Sequence, residues 1–141
     1  NCAAMTGTHD TPTVGGWWTG RDLDWADRLG RLPAGIERAK GEEIRDWDRG
    51  LLWSALGGET RRPAPDDPDP VVEAALAHIA GSPAVLALAP LEDLLGEVEQ
   101  PNLPGTVAEH PNWRRRLPAA LPVLLESSTV SSRVRAISNR A

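Results

Sequence analysis

The sequence has 141 residues, enough for one domain with a sizeable core, and its formal net charge of −5 argues against a general nucleic-acid surface. A single cysteine, Cys2, excludes an internal disulfide and fits a reducing compartment, so we predict a cytoplasmic protein. No apolar run approaches the roughly 20 residues that cross a bilayer, and no secretory leader is evident. Because the chain opens at Asn1 rather than Met, we expect further sequence upstream.

The first third of the chain predicts a strand followed by short helices. Residues 1–5 are mostly apolar and stop at a Thr-Gly-Thr step, which is typical of a buried strand that runs into a loop. Thr11-Pro12 predicts the cap and first turn of a short helix that extends to Trp18. A second short helix is predicted over Asp22–Leu29, where Gly30 ends it.

The strongest helical pattern covers Ile36–Leu56. Its apolar residues recur on one face at helical spacing: Ile36, Ile44, Trp47, Leu51 and Ala55. Charged residues fill most of the other positions and are interpreted as a solvated face: Glu42, Glu43, Arg45, Asp46 and Arg49. Gly41 interrupts the pattern, so one helix or two helices with a break both remain open.

A Pro- and Asp-rich surface loop is predicted over Arg61–Pro70. Asp69-Pro70 then begins a helix through about Ala80, with Val72, Leu76 and Ile79 facing inward. The continuous apolar run Ala84–Ala89 suits a strand buried on both faces of a parallel sheet. Residues 90–96 predict a short helix with acids in its first turn and a glycine stop.

A long irregular loop follows, and Ser128–Arg140 then predicts a terminal helix with Val130, Val134 and Ile137 on one side. Two strands separated by helices indicate a parallel α/β arrangement. Both distinctive loops follow the carboxyl ends of these strands. In α/β barrels and open α/β sheets alike, active sites lie at that edge.

The aromatic residues are unusual, since the chain has six Trp and neither Phe nor Tyr. Tryptophan is a common platform for sugar rings, whose axial C–H groups pack on its π face. It also buries a large apolar area in protein cores, and for any single Trp taken alone core packing is the preferred interpretation.

The loops carry a family signature. Its blocks are Gly7-Thr8-His9-Asp10 with Gly16-Trp17-Trp18, then Leu91-Glu92-Asp93-Leu94-Leu95-Gly96, then Gln100-Pro101-Asn102-Leu103-Pro104-Gly105-Thr106, then Glu109-His110-Pro111-Asn112-Trp113-Arg114-Arg115-Arg116. In this order and at these spacings they resemble the 4-alpha-glucanotransferase family (amylomaltase or disproportionating enzyme) of the α-amylase clan. The resemblance covers nearly the whole chain.

The resemblance implies a (β/α)8 barrel of which residues 1–141 form the C-terminal portion, an incomplete domain holding the last two strands. It also implies transfer of an α-1,4-glucan segment to the 4-OH of another glucan or glucose, without a cofactor. The partners would be maltodextrins, maltose and a glucose acceptor. A retaining double displacement needs a nucleophile and an acid/base carboxyl about 5–5.5 Å apart, and both are expected on earlier barrel strands outside this chain.

By this resemblance, three residues belong to the site. Asp10 would stabilise the transition state by binding sugar hydroxyls in the −1 subsite, contacts that strengthen as oxocarbenium character develops. His9 would donate to a hydroxyl of the same sugar, and Asn102 would contact the glucan from the loop after the last strand. The family often reads His-Asp-Asn-Asp-Thr here, so Pro12 removes any contact that a second Asp makes.

The same residues admit other interpretations. Asp10 could cap the helix that follows, and His9 could be a packed loop histidine. Glu92 and Asp93 could be an acid/base pair, but capping their helix and pairing with the arginines of 114–116 is preferred. His110 is expected to brace its loop and His78 to be structural or solvent-facing. The His and Cys residues lack zinc spacing, so no metal is predicted.

Two strands cannot close a barrel, so we expect this chain alone to be helix-rich with the strands adjacent. It should then expose Ala84–Leu88 and the helix face around Ile44, Trp47 and Leu51. The alternative to a glucanotransferase segment is a non-catalytic glucan-binding or interaction module. An RNA-contacting protein that uses Trp113–Arg116 ranks last.

Overall fold

The computed structural model describes residues 1–59 and 61–138. It is rich in helix and contains a small two-stranded sheet. In chain order its elements are β1 (Ala3–Met5), α1 (Val14–Thr19), α2 (Arg21–Arg28), α3 (Arg38–Ala55), α4 (Asp69–Ala80), β2 (Leu86–Leu88), α5 (Leu91–Leu95), α6 (Leu121–Glu126) and α7 (Ser128–Ser138).

The two strands lie side by side and run parallel, as the sequence predicts. Their register pairs Ala3 with Leu86, Ala4 with Ala87 and Met5 with Leu88. The interpretation of β2 as buried on both faces is wrong for this chain, because Leu86 and Leu88 are 55% and 48% exposed. The expectation that the Ala84–Leu88 segment is exposed is confirmed for Val85, Leu86 and Leu88, whereas Ala87 is half-buried and Ala84 is buried.

The core forms around α4, which packs against α1 and α7. The predicted inward residues Val72, Leu76 and Ile79 are all buried. Trp18 of α1 is fully buried, and its indole Nε1 donates to the carbonyl oxygen of Ala64 at 2.9 Å. Because the indole N–H of Trp18 has this hydrogen-bond acceptor, the large ring can be buried between α1 and the loop before α4.

The start of α1 differs from the prediction. Thr13, not Thr11, is the N-cap, and its hydroxyl accepts from the amide of Gly16 at 2.9 Å. The first amides of a helix have no acceptor within the helix, and the hydroxyl of an N-cap residue with an extended backbone accepts from one of them. The interpretation of Asp10 as a helix cap is therefore wrong, since the cap lies three residues further on.

α3 is one continuous helix, so the break considered at Gly41 does not occur. Its apolar face is exposed as expected, with Ile44, Trp47 and Leu51 among its exposed large side chains. The solvated-face interpretation is wrong for two of its members, because Arg45 and Arg49 are buried.

The physical reason is that these arginines pair with the end of α1. Arg45 Nη1 donates to the carbonyl oxygen of Trp17, and Arg49 Nε donates to that of Trp18. The last turn of a helix leaves carbonyl oxygens without intrahelical partners, and guanidinium groups satisfy them well. Arg45 also makes a two-fold hydrogen bond to Asp22 and lies 4.3 Å over the ring of Trp17.

The C-terminal part of the chain follows the predictions in outline. α5 ends at Gly96, which adopts the left-handed conformation expected of a glycine stop. α6 was not predicted. In α7, Val130 is buried whereas Val134 is exposed. The predicted end of this helix at Arg140 lies outside the described residues. Over residues 1–59 and 61–138, no helix is both long and apolar enough to cross a membrane.

Candidate functional site

A tight turn follows β1 and carries His9 and Asp10 at its tip. The turn is closed by its two flanking threonines, since Thr11 Oγ1 donates to the carbonyl oxygen of Thr8 and accepts from the Thr8 amide, both at 2.9 Å. The backbone amide of Thr11 also donates to the Thr8 carbonyl oxygen. The turn therefore presents two adjacent polar side chains to solvent from a short, hydrogen-bonded base.

The structure brings the three residues predicted for the site together. Asn102 Nδ2 donates to Asp10 Oδ1 at 2.6 Å, although the two residues lie 92 positions apart. His9 Nε2 lies 3.4 Å from the other carboxylate oxygen, Oδ2 of Asp10. The side chains of His9 and Asp10 are 57% and 50% exposed, so a ligand can reach both.

Asn102 is held from the loop side by its neighbours. Buried Gln100 donates from Nε2 to the carbonyl oxygen of Asn102 at 2.6 Å. Asn112 Oδ1 accepts from the amide of Leu103 at 2.9 Å and lies 2.7 Å from Nδ1 of His110. The expectation that His110 braces this loop is confirmed.

Trp113 also lies beside these residues, although the sequence analysis did not assign it to the site. Its ring centroid lies 5.2 Å from that of His9, and it is 66% exposed. Its φ of 59° is left-handed, and its amide donates to the carbonyl oxygen of Pro101 at 3.0 Å. The available signal was the position of this Trp beside Asn112 in an irregular loop, where core packing is less expected than in a helix.

Asp93 of α5 ties the two loops to each other. Its Oδ2 accepts from the Thr6 hydroxyl at 2.5 Å, and its Oδ1 accepts from the Val14 amide at 2.8 Å. Thr13 adds a further link by donating to the carbonyl oxygen of Glu97 at 2.6 Å. The segment that carries His9 and Asp10 is thus anchored on both sides to the segment after β2.

This arrangement corrects the prediction that Asp93 pairs with the arginines of 114–116. Asp93 is almost fully buried, and burial raises the pKa of its carboxyl above the ordinary value, although the hydrogen bonds from Thr6 and Val14 oppose that change. Arg115 instead places Nη2 3.6 Å from Oε2 of Glu99.

Glu99 is a second anchor, beneath the loop. Its carboxylate accepts from Nε of Arg21 at 2.5 Å and from the indole Nε1 of Trp25 at 2.9 Å. Burial alone would raise the pKa of this carboxyl, but the hydrogen bonds from Arg21 and Trp25 outweigh burial and hold the pKa below its usual range. Nε2 of buried His110 lies 4.0 Å from the same carboxylate.

A cleft of about 200 Å³ lies between the two loops. Its lining includes His9 and Trp113 from the loops and Glu92 and Asp93 from α5. In the part of the chain that the structure describes, no group of three or more His, Cys, Asp or Glu side chains is placed to hold a metal ion. The cleft offers the imidazole of His9 and the indole of Trp113, and the hydrogen-bonded pair of Asp10 and Asn102 adjoins His9.

The same residues fall within a match to known proteins. The sequence model of the family described as 4-alpha-glucanotransferase matches residues 1–122. The 4-alpha-glucanotransferase of Mycobacterium tuberculosis (strain H37Rv) is 33% identical over 129 residues, which are 89% of this chain and 18% of that protein. The 4-alpha-glucanotransferase of Haemophilus influenzae is 29% identical over 140 residues, which are 94% of this chain and 20% of that protein.

The chain thus spans about a fifth of the length of the curated relatives it matches. The family match covers most of its residues, including the turn with His9 and Asp10 and the loop with Asn102. This chain belongs to the 4-alpha-glucanotransferase family.

Proposed function

We propose that this chain supplies part of the sugar-binding site of an enzyme that transfers segments of α-1,4-glucans to the 4-OH of an acceptor glucan or glucose. Maltodextrins and maltose are the proposed donors. The observation that carries the proposal is the hydrogen bond between Asn102 and Asp10, which joins two loops at the carboxyl ends of neighbouring parallel strands. Active sites of parallel α/β folds lie at this edge.

Asp10 is proposed as the transition-state-stabilising carboxylate and His9 as its neighbouring donor. With Oδ1 accepting from Asn102, Oδ2 of Asp10 remains available to accept from a sugar hydroxyl beside His9. Such a hydrogen bond strengthens when positive charge develops on the sugar ring in the transition state. The nucleophile and the acid/base carboxyl of the retaining double displacement are proposed to lie in other segments of the enzyme.

We propose further that residues 1–141 form the C-terminal portion of a (β/α)8 barrel, with β1 and β2 as its last two strands. The parallel pairing of β1 with β2 across intervening helices supports this arrangement. The exposed side chains of Met5, Leu86 and Leu88 support it as well, because barrel strands are covered by layers of side chains on the inside and helices on the outside.

The test is the substitution Asp10→Asn in the complete enzyme that carries this segment. It keeps the size of the side chain and an oxygen for one hydrogen bond, but it removes the negative charge. We expect the rate of glucose release from maltotriose to fall by about a hundredfold or more, the effect of losing one preorganised transition-state contact. Asp66→Asn, in the exposed loop before α4, is the control and should leave the rate unchanged. A full transfer rate in Asp10→Asn would refute the proposal.

The second candidate is a non-catalytic glucan-binding module, which the exposed pair of His9 and Trp113 favours. Both candidates predict that the 141-residue chain releases no glucose from maltotriose. They differ in the longer protein, since only the enzyme shows transfer that depends on Asp10. Glucose release by the 141-residue chain alone would contradict the placement of the nucleophile in another segment.

A further inference from the structure

The placement of Trp113 is not explained by packing. Two thirds of the side chain is exposed, so burial of the indole contributes little to the stability of the loop. The residue also adopts φ of 59°, a region that bulky side chains rarely enter. Glycine would adopt the same backbone conformation without strain. A large ring at a strained, exposed position points to a role that needs the ring itself.

The surroundings of the ring indicate what that role is. Trp113 lines the cleft of about 200 Å³ that it shares with His9, and it also lines a second cleft of about 280 Å³. The second cleft is bordered by Glu97, Arg115 and Leu117. The indole therefore stands between the cleft that it shares with His9 and an adjoining cleft that combines charged and apolar groups.

The loop fixes the ring in this place before any ligand arrives. The backbone amide of Trp113 donates to the carbonyl oxygen of Pro101, and this hydrogen bond closes the loop of residues 101–113. Within this closed loop, Asn112 Nδ2 donates to Oγ1 of Thr106 at 2.8 Å, and Asn112 Oδ1 accepts from the Leu103 amide. A preorganised platform loses little conformational freedom on binding, which favours affinity.

We propose that the indole of Trp113 is a stacking platform for a glucose ring and extends the binding site from Asp10 and His9 into the cleft beside Arg115. The inference rests on the proposed function and adds a subsite to it. One face of a glucose ring presents C–H groups, which pack on an indole. The equatorial hydroxyls around its rim meet Glu97 and Arg115. The platform selects chains of several glucose units over free glucose, because only a chain reaches both clefts.

The experiment uses the 141-residue chain labelled with 15N and titrated with maltohexaose or with glucose. The indole N–H signals report on each Trp, and the side-chain amide signal of Asn102 reports on the site beside Asp10. We expect maltohexaose to shift the signals of Trp113 and Asn102, whereas the indole signals of buried Trp18 and Trp25 stay unchanged.

Trp113→Gly removes the ring and retains a residue suited to a positive φ, so the loop should keep its fold. We expect the Kd of Trp113→Gly for maltohexaose to rise about tenfold, which corresponds to ~1.4 kcal/mol, and its Kd for glucose to rise less. Trp47→Ala is the matched control, because Trp47 is also largely exposed but lies on α3. The Kd values of Trp47→Ala for maltohexaose and for glucose should equal those of the parent chain.

The outcomes separate the two proposals. A shift of the Asn102 signal without a shift of the Trp113 indole would overturn the platform and leave the proposed function standing. If Trp113→Gly binds maltohexaose as tightly as the parent chain does, the platform is likewise overturned and the proposed function still stands. No shift of either signal at the highest maltohexaose concentration reached would overturn the platform, and the transfer rate of Asp10→Asn in the complete enzyme would then decide the proposed function separately. An equal loss of affinity in Trp113→Gly and Trp47→Ala would also refute a specific platform.

Discussion

Replacement of Asp93 by alanine tests whether the two site loops depend on one buried carboxylate. The carboxylate accepts from the Thr6 hydroxyl and from the Val14 amide, which flank the turn that carries His9 and Asp10. Asp93→Ala leaves both donors without this partner, in a place that is mostly shielded from water. Asp93→Asn keeps an oxygen for the Val14 amide and an NH₂ group for the Thr6 oxygen.

The expected magnitude follows from the number of donors. A buried donor left unpaired costs about 1–3 kcal/mol, so two partly buried donors should lower the free energy of unfolding by about 2–4 kcal/mol in Asp93→Ala. Asp93→Asn should cost less than about 1 kcal/mol. The assay is urea unfolding at pH 7 followed by tryptophan fluorescence. Equal destabilisation by the two substitutions, or none by alanine, would refute this account of the anchor.

The pH dependence of stability, compared between the parent chain and Asp93→Asn, gives a second test of the anchor. Because folding raises the pKa of Asp93 above its ordinary value of 3.8, the folded state binds this proton more tightly than the unfolded state. The resulting stabilisation is fully present below that ordinary value and is lost as the pH rises through the folded pKa. Relative to Asp93→Asn, the parent chain should therefore gain stability as the pH falls. A difference that is constant with pH would contradict the raised pKa.

Three further predictions concern the supports of the site, and a fourth concerns α3. Glu99→Gln should remove stability that the parent chain has above pH 4.5 and loses as the pH falls through the lowered pKa of Glu99, so the urea midpoints of the two chains should converge in acid. Asn112→Ala should lower the free energy of unfolding by about 1–3 kcal/mol, and two-dimensional NMR should show signal changes concentrated in residues 101–113. Gly16→Ala should destabilise the chain in the same urea assay, because its Cβ would overlap the Val98 carbonyl oxygen. Gly50→Ala, within α3, should instead stabilise it by about 0.5–1 kcal/mol.

The elements that could be predicted are those whose local signals agree with their packing. The apolar residues of α4 repeat at helical spacing, and that face became the core against α1 and α7. α5 is bounded by Pro90 and Gly96, which specify its start and its left-handed end without help from distant residues. The parallel pairing of the strands followed from the helices between them, because such strands need a crossover connection.

The errors arose where tertiary partners outweighed hydrophobic periodicity. Periodicity alone cannot show that the end of α1 presents the carbonyl oxygens of Trp17 and Trp18 to α3. Those acceptors make the arginine face of α3 the inner one, since Arg45 and Arg49 satisfy them and also reach carboxylates. The same limit applies to Asp93, whose partners, Thr6 and Val14, lie far away in the sequence.

At the candidate site the motifs identified side chains that the structure brings together, but not what holds them. Asp10 and Asn102 lie on different loops, and their hydrogen bond depends on links that hold the two loops together, among them Asp93 with Thr6 and Thr13 with Glu97. These links run between segments of this chain, so the relative placement of the carboxylate and the amide is fixed within it. Electrostatic stabilisation of a transition state is effective when the groups are held in place before the reaction, because no free energy is then lost in reorganising them. It follows that a substitution which loosens the anchor at Asp93, without touching a sugar, should lower the transfer rate of the complete enzyme in proportion to the fraction of molecules in which the two loops have separated.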